Sequence, residues 1–170
     1  MLLDVSKALR APGEGFPFVC SEESPPVMWD GAELRFVTPV RVSGVYVAVK
    51  EDVWVRACVK TRVRLPCANC LSDAYHDGNA SMDVCFSRQP DPEDPDLFTY
   101  EGYTLRLDDA ALGALWLEMP MRILCAPDCR GLCPRCGVNR NHSICACQKE
   151  LPSKHPLSAL AALLNQDEEV

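Results

Sequence analysis

Six of the eleven cysteines of this chain lie in one segment, Cys125–Cys147, and no other feature restricts the fold as strongly. Cysteines at this density form either a disulfide framework or a metal site. Within the segment, Cys133-Pro134-Arg135-Cys136-Gly137 is typical of a zinc knuckle, because two thiolates separated by two residues can hold one ion from a tight turn. The glycine allows positive φ behind them. The segment therefore predicts a metal site, which Cys145-Ala146-Cys147 can complete.

The rest of the sequence favours a reducing compartment, where cysteines bind metal rather than pair with one another. The N-terminus carries an acid at Asp4 and has no apolar run long enough for a signal peptide. The most apolar stretch, residues 110–125, is interrupted by Glu118, Pro120 and Arg122, so it is too short and too polar to span a bilayer. We expect a soluble cytoplasmic protein that does not associate with a membrane.

Structural zinc takes four ligands, so the useful question is how many groups of four the cysteines can make. Eight of them are candidate ligands: Cys67, Cys70, Cys125, Cys129, Cys133, Cys136, Cys145 and Cys147. The simplest partition makes two four-thiolate sites. One contains the last four of these cysteines, and the other joins the Cys67 and Cys70 pair to Cys125 and Cys129 across the fold. We expect one or two Zn²⁺ per chain.

Other ligand sets are compatible with the same spacing. A single site can use Cys129, Cys133, Cys136 and Cys145, and a reduced thiol cluster needs no metal. An iron–sulfur cluster also accepts four thiolates. A histidine can replace a thiolate, and the chain has three: His76, His142 and His155. Cys20 and Cys85 are expected to be buried or loosely placed thiols outside these sites.

The remaining residues predict an α+β fold with an antiparallel β-meander core, one or two packing helices and a C-terminal cysteine-rich zinc ribbon. The core is expected over residues 31–124. Its β-branched or alternating segments are 34–37, 40–50, 53–65 and 80–86, divided by Pro39, Gly44, Glu51-Asp52 and the turn-like His76–Asn79.

The other boundaries follow from composition and from helix signals. Residues 1–30 are rich in Pro, Gly and Glu and are expected to form a loosely ordered lead-in. A helix is predicted at about 109–118, with Asp108 as its N-cap and Pro120 beyond its end. Residues 125–150 form the zinc-binding cluster, and a leucine-rich helix is predicted at 156–165.

One predicted strand carries a ladder of basic residues. From Val55 to Leu65, apolar residues alternate with polar ones, so one face of the strand is apolar and the other strongly basic. The cations of that face are Arg56, Lys60, Arg62 and Arg64. A solvated outer face explains this pattern, and so does a surface that contacts phosphates.

Charge is distributed unevenly over the chain. The net charge is −7, which argues against a generally basic nucleic-acid binder. Residues 122–155 nevertheless contain six basic and two acidic residues, a local charge of +4. The basic residues of the cysteine cluster, Arg130, Arg135 and Arg140, are therefore further candidate RNA contacts. Few aromatic residues lie in either basic region, the strand or the cysteine cluster, so stacking of bases is not indicated.

Two blocks of residues resemble the YceD family, the large ribosomal RNA subunit accumulation proteins of bacteria and plastids. The first is Val63-Arg64-Leu65-Pro66-Cys67-Ala68-Asn69-Cys70-Leu71. The second runs from Leu124 to Asn139 and is followed by Asn141 and Cys145-Ala146-Cys147. The order and spacing are similar over roughly residues 30 to 165. Asn69 stands where the family commonly has arginine, and Arg140 stands where leucine is usual.

The resemblance implies a role in the synthesis, processing or stability of the large-subunit rRNA precursor, through RNA or a ribosome-biogenesis partner. The sequence contains no Gly-rich phosphate loop and no Ser/His/Asp arrangement, so we expect this role to be non-enzymatic. No small-molecule substrate is evident. The alternative is a thiol redox protein or a redox-sensing zinc switch that uses Cys67 and Cys70. Two-residue spacing does serve disulfide exchange, but there it opens a helix in a βαβ setting, whereas a β-meander surrounds this pair.

Overall fold

The computed structural model describes residues 1–89, 97–145 and 147. It contains nine strands and two helices within these residues. In chain order they are β1 Leu2–Asp4, α1 Ser6–Arg10, β2 Gly15–Glu22, β3 Val27–Trp29, β4 Ala32–Phe36, β5 Val40–Val49, β6 Asp52–Pro66, β7 Asp73–Ser87, β8 Phe98–Thr99, β9 Thr104–Arg106 and α2 Asp108–Glu118. This is an α+β fold, with an antiparallel sheet at its centre.

The long strand β6 organises the sheet. On one side it pairs along its whole length with β7, from Val53 opposite Phe86 to Pro66 opposite Asp73. On the other side it pairs first with β5 and then, near its end, with β4. β2 extends the sheet beyond β5, and β3 extends it beyond β4. All these pairings are antiparallel, whereas the short β8 joins β7 in parallel.

Alternation along the strands gives the sheet an inner and an outer face. On β6, Val53, Val55, Val59 and Val63 are fully buried, because they point to the inner face, where α1 and α2 pack. The residues between them point to the outer face. We use the term outer face for the solvent-facing side chains of β2, β5, β6 and β7. The core therefore lies on one side of the sheet, and the basic ladder of β6 lies on the other.

The helix α2 begins one residue before its predicted start. Asp108 is the first residue of the helix, and the N-cap position is Leu107, which makes no side-chain cap. The Asp108 carboxylate instead accepts a hydrogen bond of 2.6 Å from the α-ammonium of Met1. The helix buries Ala110, Ala111 and Leu115 against the inner face, while Leu112 and Trp116 are half-buried.

Residues 1–30 are not the loosely ordered lead-in that their composition suggests. β1 pairs with β9, and β2 pairs with β5 over eight residues from Gly15 to Glu22. α1 buries Ala8 in the core. The prolines and glycines that suggest disorder occupy turns and a sheet edge, where a missing N–H group costs little.

The predicted turn at His76–Asn79 is also wrong. These residues lie within β7, and each pairs with a residue of β6, from His76 opposite Val63 to Asn79 opposite Lys60. Gly78 is buried beneath Leu115 of α2. The turn preference of an Asp-Gly-Asn sequence is weak compared with the pairing of a complete strand against β6.

The described residues form two compact units. The first contains residues 1–130, including all the elements above, and the second begins at residue 131. The predicted helix at 156–165 lies outside the described residues. No helix in the described part of the chain has the length and apolar character needed to cross a membrane.

Candidate metal centres

Four cysteines of the first unit converge beyond the end of the β6–β7 hairpin. Cys67 directly follows the last residue of β6, and Cys70 lies in the loop that leads to β7. Cys125 and Cys129 lie in the segment after α2. The four sulfur atoms all lie within 4.8 Å of one another, and we call this group tetrad 1.

The loop that carries Cys67 and Cys70 is a tight turn closed by backbone hydrogen bonds. The Cys67 N–H donates to the Ser72 carbonyl at 2.7 Å, and the Leu71 N–H donates to the Cys67 carbonyl at 3.0 Å. Leu71 adopts a φ of 61°, an uncommon conformation for a branched side chain. The Asn69 N–H points at the Cys67 sulfur, 3.5 Å away. The turn therefore places two sulfur atoms on one side of the loop.

Asn69 connects the two halves of tetrad 1. Its side-chain oxygen accepts a hydrogen bond of 2.6 Å from the guanidinium of Arg122, and its side-chain nitrogen donates to the backbone carbonyl of Cys129 at 3.4 Å. The neighbouring Ala68 N–H donates to the Ile123 carbonyl at 2.9 Å. Asn69 thus holds the second pair of cysteines against the first.

The sulfur positions of tetrad 1 fit a tetrahedral zinc site. The Cys67 and Cys129 sulfur atoms are 3.7 Å apart, and those of Cys70 and Cys125 are 3.5 Å apart. A zinc–sulfur bond of about 2.3 Å in a tetrahedron requires sulfur atoms about 3.8 Å apart. A disulfide requires about 2.05 Å, so these cysteines are not bonded to one another. The donor set is four thiols, which suits zinc in a structural site.

The pKa values of the thiols in tetrad 1 diverge. Burial opposes ionisation of Cys67, but backbone N–H groups near its sulfur, that of Asn69 first, lower its pKa to about 6. Hydrogen bonds from Ser72 also lower the pKa of Cys70. The sulfur of Cys70 raises the pKa of Cys125 to about 12. The group therefore favours thiolates on the hairpin side, where backbone N–H groups stabilise the charge.

The second unit contains an equivalent group, which we call tetrad 2. Its sulfur atoms belong to Cys133, Cys136, Cys145 and Cys147 and lie within 4.8 Å of one another. The Cys145 sulfur is 3.2 Å from that of Cys133 and 3.5 Å from that of Cys136. Tetrad 2 therefore offers four sulfur ligands to one ion, with the Cys133–Cys145 pair closer than the about 3.8 Å of a tetrahedral zinc site.

Tetrad 2 is built on a short hairpin. The Cys133 N–H donates a hydrogen bond to the Val138 carbonyl at 2.8 Å, and the Gly137 N–H donates one to the Cys133 carbonyl at 2.9 Å. Gly137 has a φ of 71°, the positive value that the knuckle sequence predicts. Backbone N–H groups of Cys136 and Arg135 lower the pKa of Cys133 to about 6, whereas the sulfur of Cys145 raises that of Cys147 to about 12.

The structure thus groups the eight candidate cysteines as the simpler sequence partition does. Cys129 lies in tetrad 1, so the alternative single site that combines it with the last cysteines is not formed. His76 lies in β7 and His142 in the second unit, and neither belongs to a tetrad. His155 lies outside the described residues. Cys20 and Cys85 are half-buried and also lie outside both tetrads.

The basic ladder of β6 meets an acidic partner strand that the sequence analysis missed. Arg56 lies 2.9 Å from Asp83, Arg62 3.6 Å from Asp77, and Arg64 3.0 Å from Asp73, measured between nitrogen and oxygen. The signal was present in the sequence, because Asp73, Asp77 and Asp83 are separated by even numbers of residues and so lie on one face of β7. The predicted turn at His76–Asn79 concealed that alternation.

Two aromatic side chains also lie on the outer face. Trp54 of β6 and Tyr75 of β7 are each 50% exposed. The Arg62 guanidinium lies 5.5 Å from the centre of the Tyr75 ring. The expectation that aromatic residues are lacking near the basic residues therefore does not hold for this sheet. The candidate contacts Arg130, Arg135 and Arg140 lie in the segments that carry the cysteines.

Comparison with known proteins gives a family match and distant relatives. A family model described as large ribosomal RNA subunit accumulation protein YceD matches residues 55–164, a span that includes all eight tetrad cysteines. An uncharacterized protein of Mycobacterium tuberculosis is 29% identical over 151 residues, which cover 81% of this chain and 70% of that protein. The uncharacterized protein YlbN of Bacillus subtilis is 26% identical over 164 residues, 94% of each chain. No solved structure matches this chain.

Proposed function

We propose that this chain, which belongs to the YceD family of large ribosomal RNA subunit accumulation proteins, is a non-enzymatic zinc protein that supports the processing or stability of large-subunit rRNA. The observation that carries the metal part is the pair of cysteine tetrads. The rRNA part of the proposal rests on membership of the YceD family. The protein acts by binding the rRNA precursor or a biogenesis partner, and zinc holds its binding surfaces in place.

The ligand chemistry supports a structural rather than a catalytic ion. Each tetrad offers four thiol ligands, whereas catalytic zinc keeps one coordination position for water or substrate. Bound zinc supplies cross-links: in tetrad 1 it would join the end of the β6–β7 hairpin to the segment after α2. The backbone N–H groups that face Cys67 and Cys133 stabilise the thiolates that zinc requires.

The test is rRNA accumulation in a cell whose own copy of the gene is deleted. We expect the ratio of large-subunit to small-subunit rRNA to fall in the deletion strain and to recover with the unmodified gene. The double variant Cys67→Ser/Cys70→Ser should fail to restore it, while Cys20→Ser, a cysteine outside both tetrads, should restore it fully. An unchanged ratio in the deletion strain would exclude the proposed function.

Metal content tests the zinc part separately. Elemental mass spectrometry of protein purified without added metal should give two zincs per chain. The double variant Cys133→Ser/Cys136→Ser should lose one of the two zincs, and Cys20→Ser should lose none. These results would support one zinc in each tetrad. Iron in place of zinc, or a chain without metal, would contradict this part of the proposal.

A thiol redox function is the second candidate, and the lowered pKa of Cys67 is the observation that favours it. Burial argues against it: the exposed fractions of Cys67 and Cys70 are 0% and 4%. Disulfide exchange requires that another sulfur reach the attacking thiolate. If alkylation of the zinc-loaded protein labels Cys67 or Cys70 as fast as it labels unfolded protein, the redox function gains support.

A further inference from the structure

The cations of the outer face fall into two classes. Arg56, Arg62 and Arg64 each have a carboxylate partner on β7. Arg41 of β5 and Lys60 of β6 are both exposed, and neither makes an ion pair within the part of the chain that the structure describes. No carboxylate of the described residues therefore competes with an added anion for direct contact with these two cations.

Strand register brings the two unpaired cations together. Arg41 lies directly opposite Lys60 in the antiparallel pairing of β5 with β6. Like charges at directly opposed positions destabilise a sheet, so this arrangement costs stability unless an anion lies between them. On the other side of Lys60, β7 places the neutral Asn79, whereas Arg56 and Arg62 of the same strand lie opposite Asp83 and Asp77.

The pair lies between a charged and an uncharged set of residues: on one side Arg62 of β6 and Asp77 of β7 form an ion pair, and on the other side the groups are polar and uncharged. In the next row, Ser43 of β5, Cys58 of β6 and Ser81 of β7 are paired in register. The Cys58 thiol donates to the Asn79 side-chain oxygen at 3.0 Å, which leaves the Asn79 amide nitrogen as a donor. Two cations and neighbouring N–H and O–H donors are the chemistry that binds phosphate oxygens.

We propose that the Arg41–Lys60 row is a phosphate-binding subsite for single-stranded RNA, with Trp54 on the same face as the platform for a base. This inference rests on the proposed function and names the surface through which it acts. Lys60 is six residues from Trp54 along β6, which places them about 20 Å apart. A strand of RNA that follows β6 meets the aromatic ring and then the cation pair.

A single strand fits this surface better than a duplex. Bases of a duplex are stacked on one another and offer no free face to Trp54, whereas unstacked bases can lie on an exposed indole. Single-strand binding typically combines such a ring with cations that follow the backbone. The ion-paired arginines contribute less, because a phosphate must compete with an aspartate for each of them.

The experiment measures the affinity of a fluorescently labelled polyuridine oligomer for zinc-loaded protein as a function of salt. The test variant is Arg41→Gln/Lys60→Gln. The control is Lys7→Gln/Arg10→Gln, which removes the same charge from α1 on the opposite side of the sheet. Loss of two phosphate contacts should reduce the slope of log affinity against log salt by about 1.4 in the test variant only.

Trp54→Ala tests the stacking step. It should weaken binding of the single strand about tenfold and leave the salt slope unchanged. A labelled RNA duplex should bind more weakly than the single strand and should not respond to Trp54→Ala. Thermal unfolding of each variant must match the unmodified protein, so that a change in affinity reports on contact rather than on folding.

The possible failures are distinguishable. If the unmodified protein binds RNA and the test variant behaves like the control, the subsite is wrong while the rRNA function stands. If no RNA binds at any salt concentration, the subsite is also wrong, and the rRNA function then requires a protein partner. If the deletion strain shows no rRNA defect, the proposed function itself fails, whatever the binding assay shows.

Discussion

Gly44 shows how a single residue can fix the approach of two strands. It lies in β5 directly opposite Ala57 of β6. A Cβ atom at this position would lie 2.1 Å from the Arg56 carbonyl oxygen and 2.5 Å from the Ala57 Cα. Both are backbone atoms, so no side chain can move aside. The sequence pattern predicts that Gly44 separates two strands. In the structure Gly44 lies within β5 and allows this strand to approach β6 closely.

Substitution of this glycine should be severely destabilising. We expect Gly44→Ala to lower the free energy of unfolding by about 3 kcal/mol, because the strands must separate to admit the methyl group. Gly113→Ala is the matched control: it lies in α2 with nothing within 4 Å of its Cβ position. The control should gain about 0.5 to 1 kcal/mol from helix propensity. Denaturant unfolding measures both, and equal effects would contradict the close approach.

At the scale of elements, a sequence pattern predicted a strand well where it extended over the whole strand, and poorly where it covered only part of it. β6 was predictable almost to the residue, because an apolar and basic alternation runs through most of it, and buried and solvent-facing residues alternate without a break from Val53 to Leu65. β7 was cut short by its Asp77-Gly78-Asn79 sequence, whose local preference is overridden by pairing with β6. β2 was missed because its order comes from pairing with β5, a contact that local composition does not reveal.

The candidate site was more predictable than the sheet edges. Tetrad 2 follows from local spacing, since its turn requires only Gly137 and a short hairpin. Tetrad 1 joins residues about 60 positions apart, and only the count of eight cysteines suggested its membership. The role of Asn69 was not predictable, because its partners Arg122 and Cys129 are brought to it by the packing of α2 and the segment that follows.

Tetrad 1 should act as a cross-link between elements. Zinc bound there closes a loop of 62 residues between Cys67 and Cys129. A cross-link of that span stabilises by about 4 kcal/mol through the entropy of the unfolded chain. We therefore expect Cys125→Ser/Cys129→Ser to lower the free energy of unfolding of the zinc-loaded protein by about that amount.

Tryptophan fluorescence in a denaturant titration measures the change. Cys20→Ser, a half-buried cysteine of β2, is the control and should cost less than about 1 kcal/mol. The two proteins should become similar when a chelator removes zinc from both. If Cys125→Ser/Cys129→Ser unfolds at the same denaturant concentration as Cys20→Ser before chelation, tetrad 1 does not cross-link the fold.

At the scale of the whole molecule, each of the two units contains one complete tetrad. Tetrad 1 lies within residues 1–130, and tetrad 2 lies within the unit that begins at residue 131. Neither requires a ligand from the other unit, so the two sites should bind zinc independently. The net charge of −7 shows that the basic surfaces are local rather than spread over the molecule.

The same pattern of pKa values in both tetrads predicts how zinc binding depends on pH. Cys67 and Cys133 have pKa values of about 6, below the ordinary thiol value, and so are thiolates at neutral pH. Cys125 and Cys147, with pKa values of about 12, still carry protons that zinc must displace. Below about pH 6, Cys67 and Cys133 also become protonated, and zinc must then displace one further proton in each tetrad.

Zinc affinity should therefore fall as the pH falls, and fall more steeply below about pH 6. The stabilisation that depends on thiolates is complete above the ordinary thiol pKa and is lost as the pH decreases through the lowered pKa. Competition with a chromophoric chelator between about pH 5 and pH 8 measures the slope, which should increase by about one proton per tetrad near pH 6. A constant slope across this range would mean that Cys67 and Cys133 are ordinary thiols, and that the backbone N–H groups around them do not prepare the tetrads for metal.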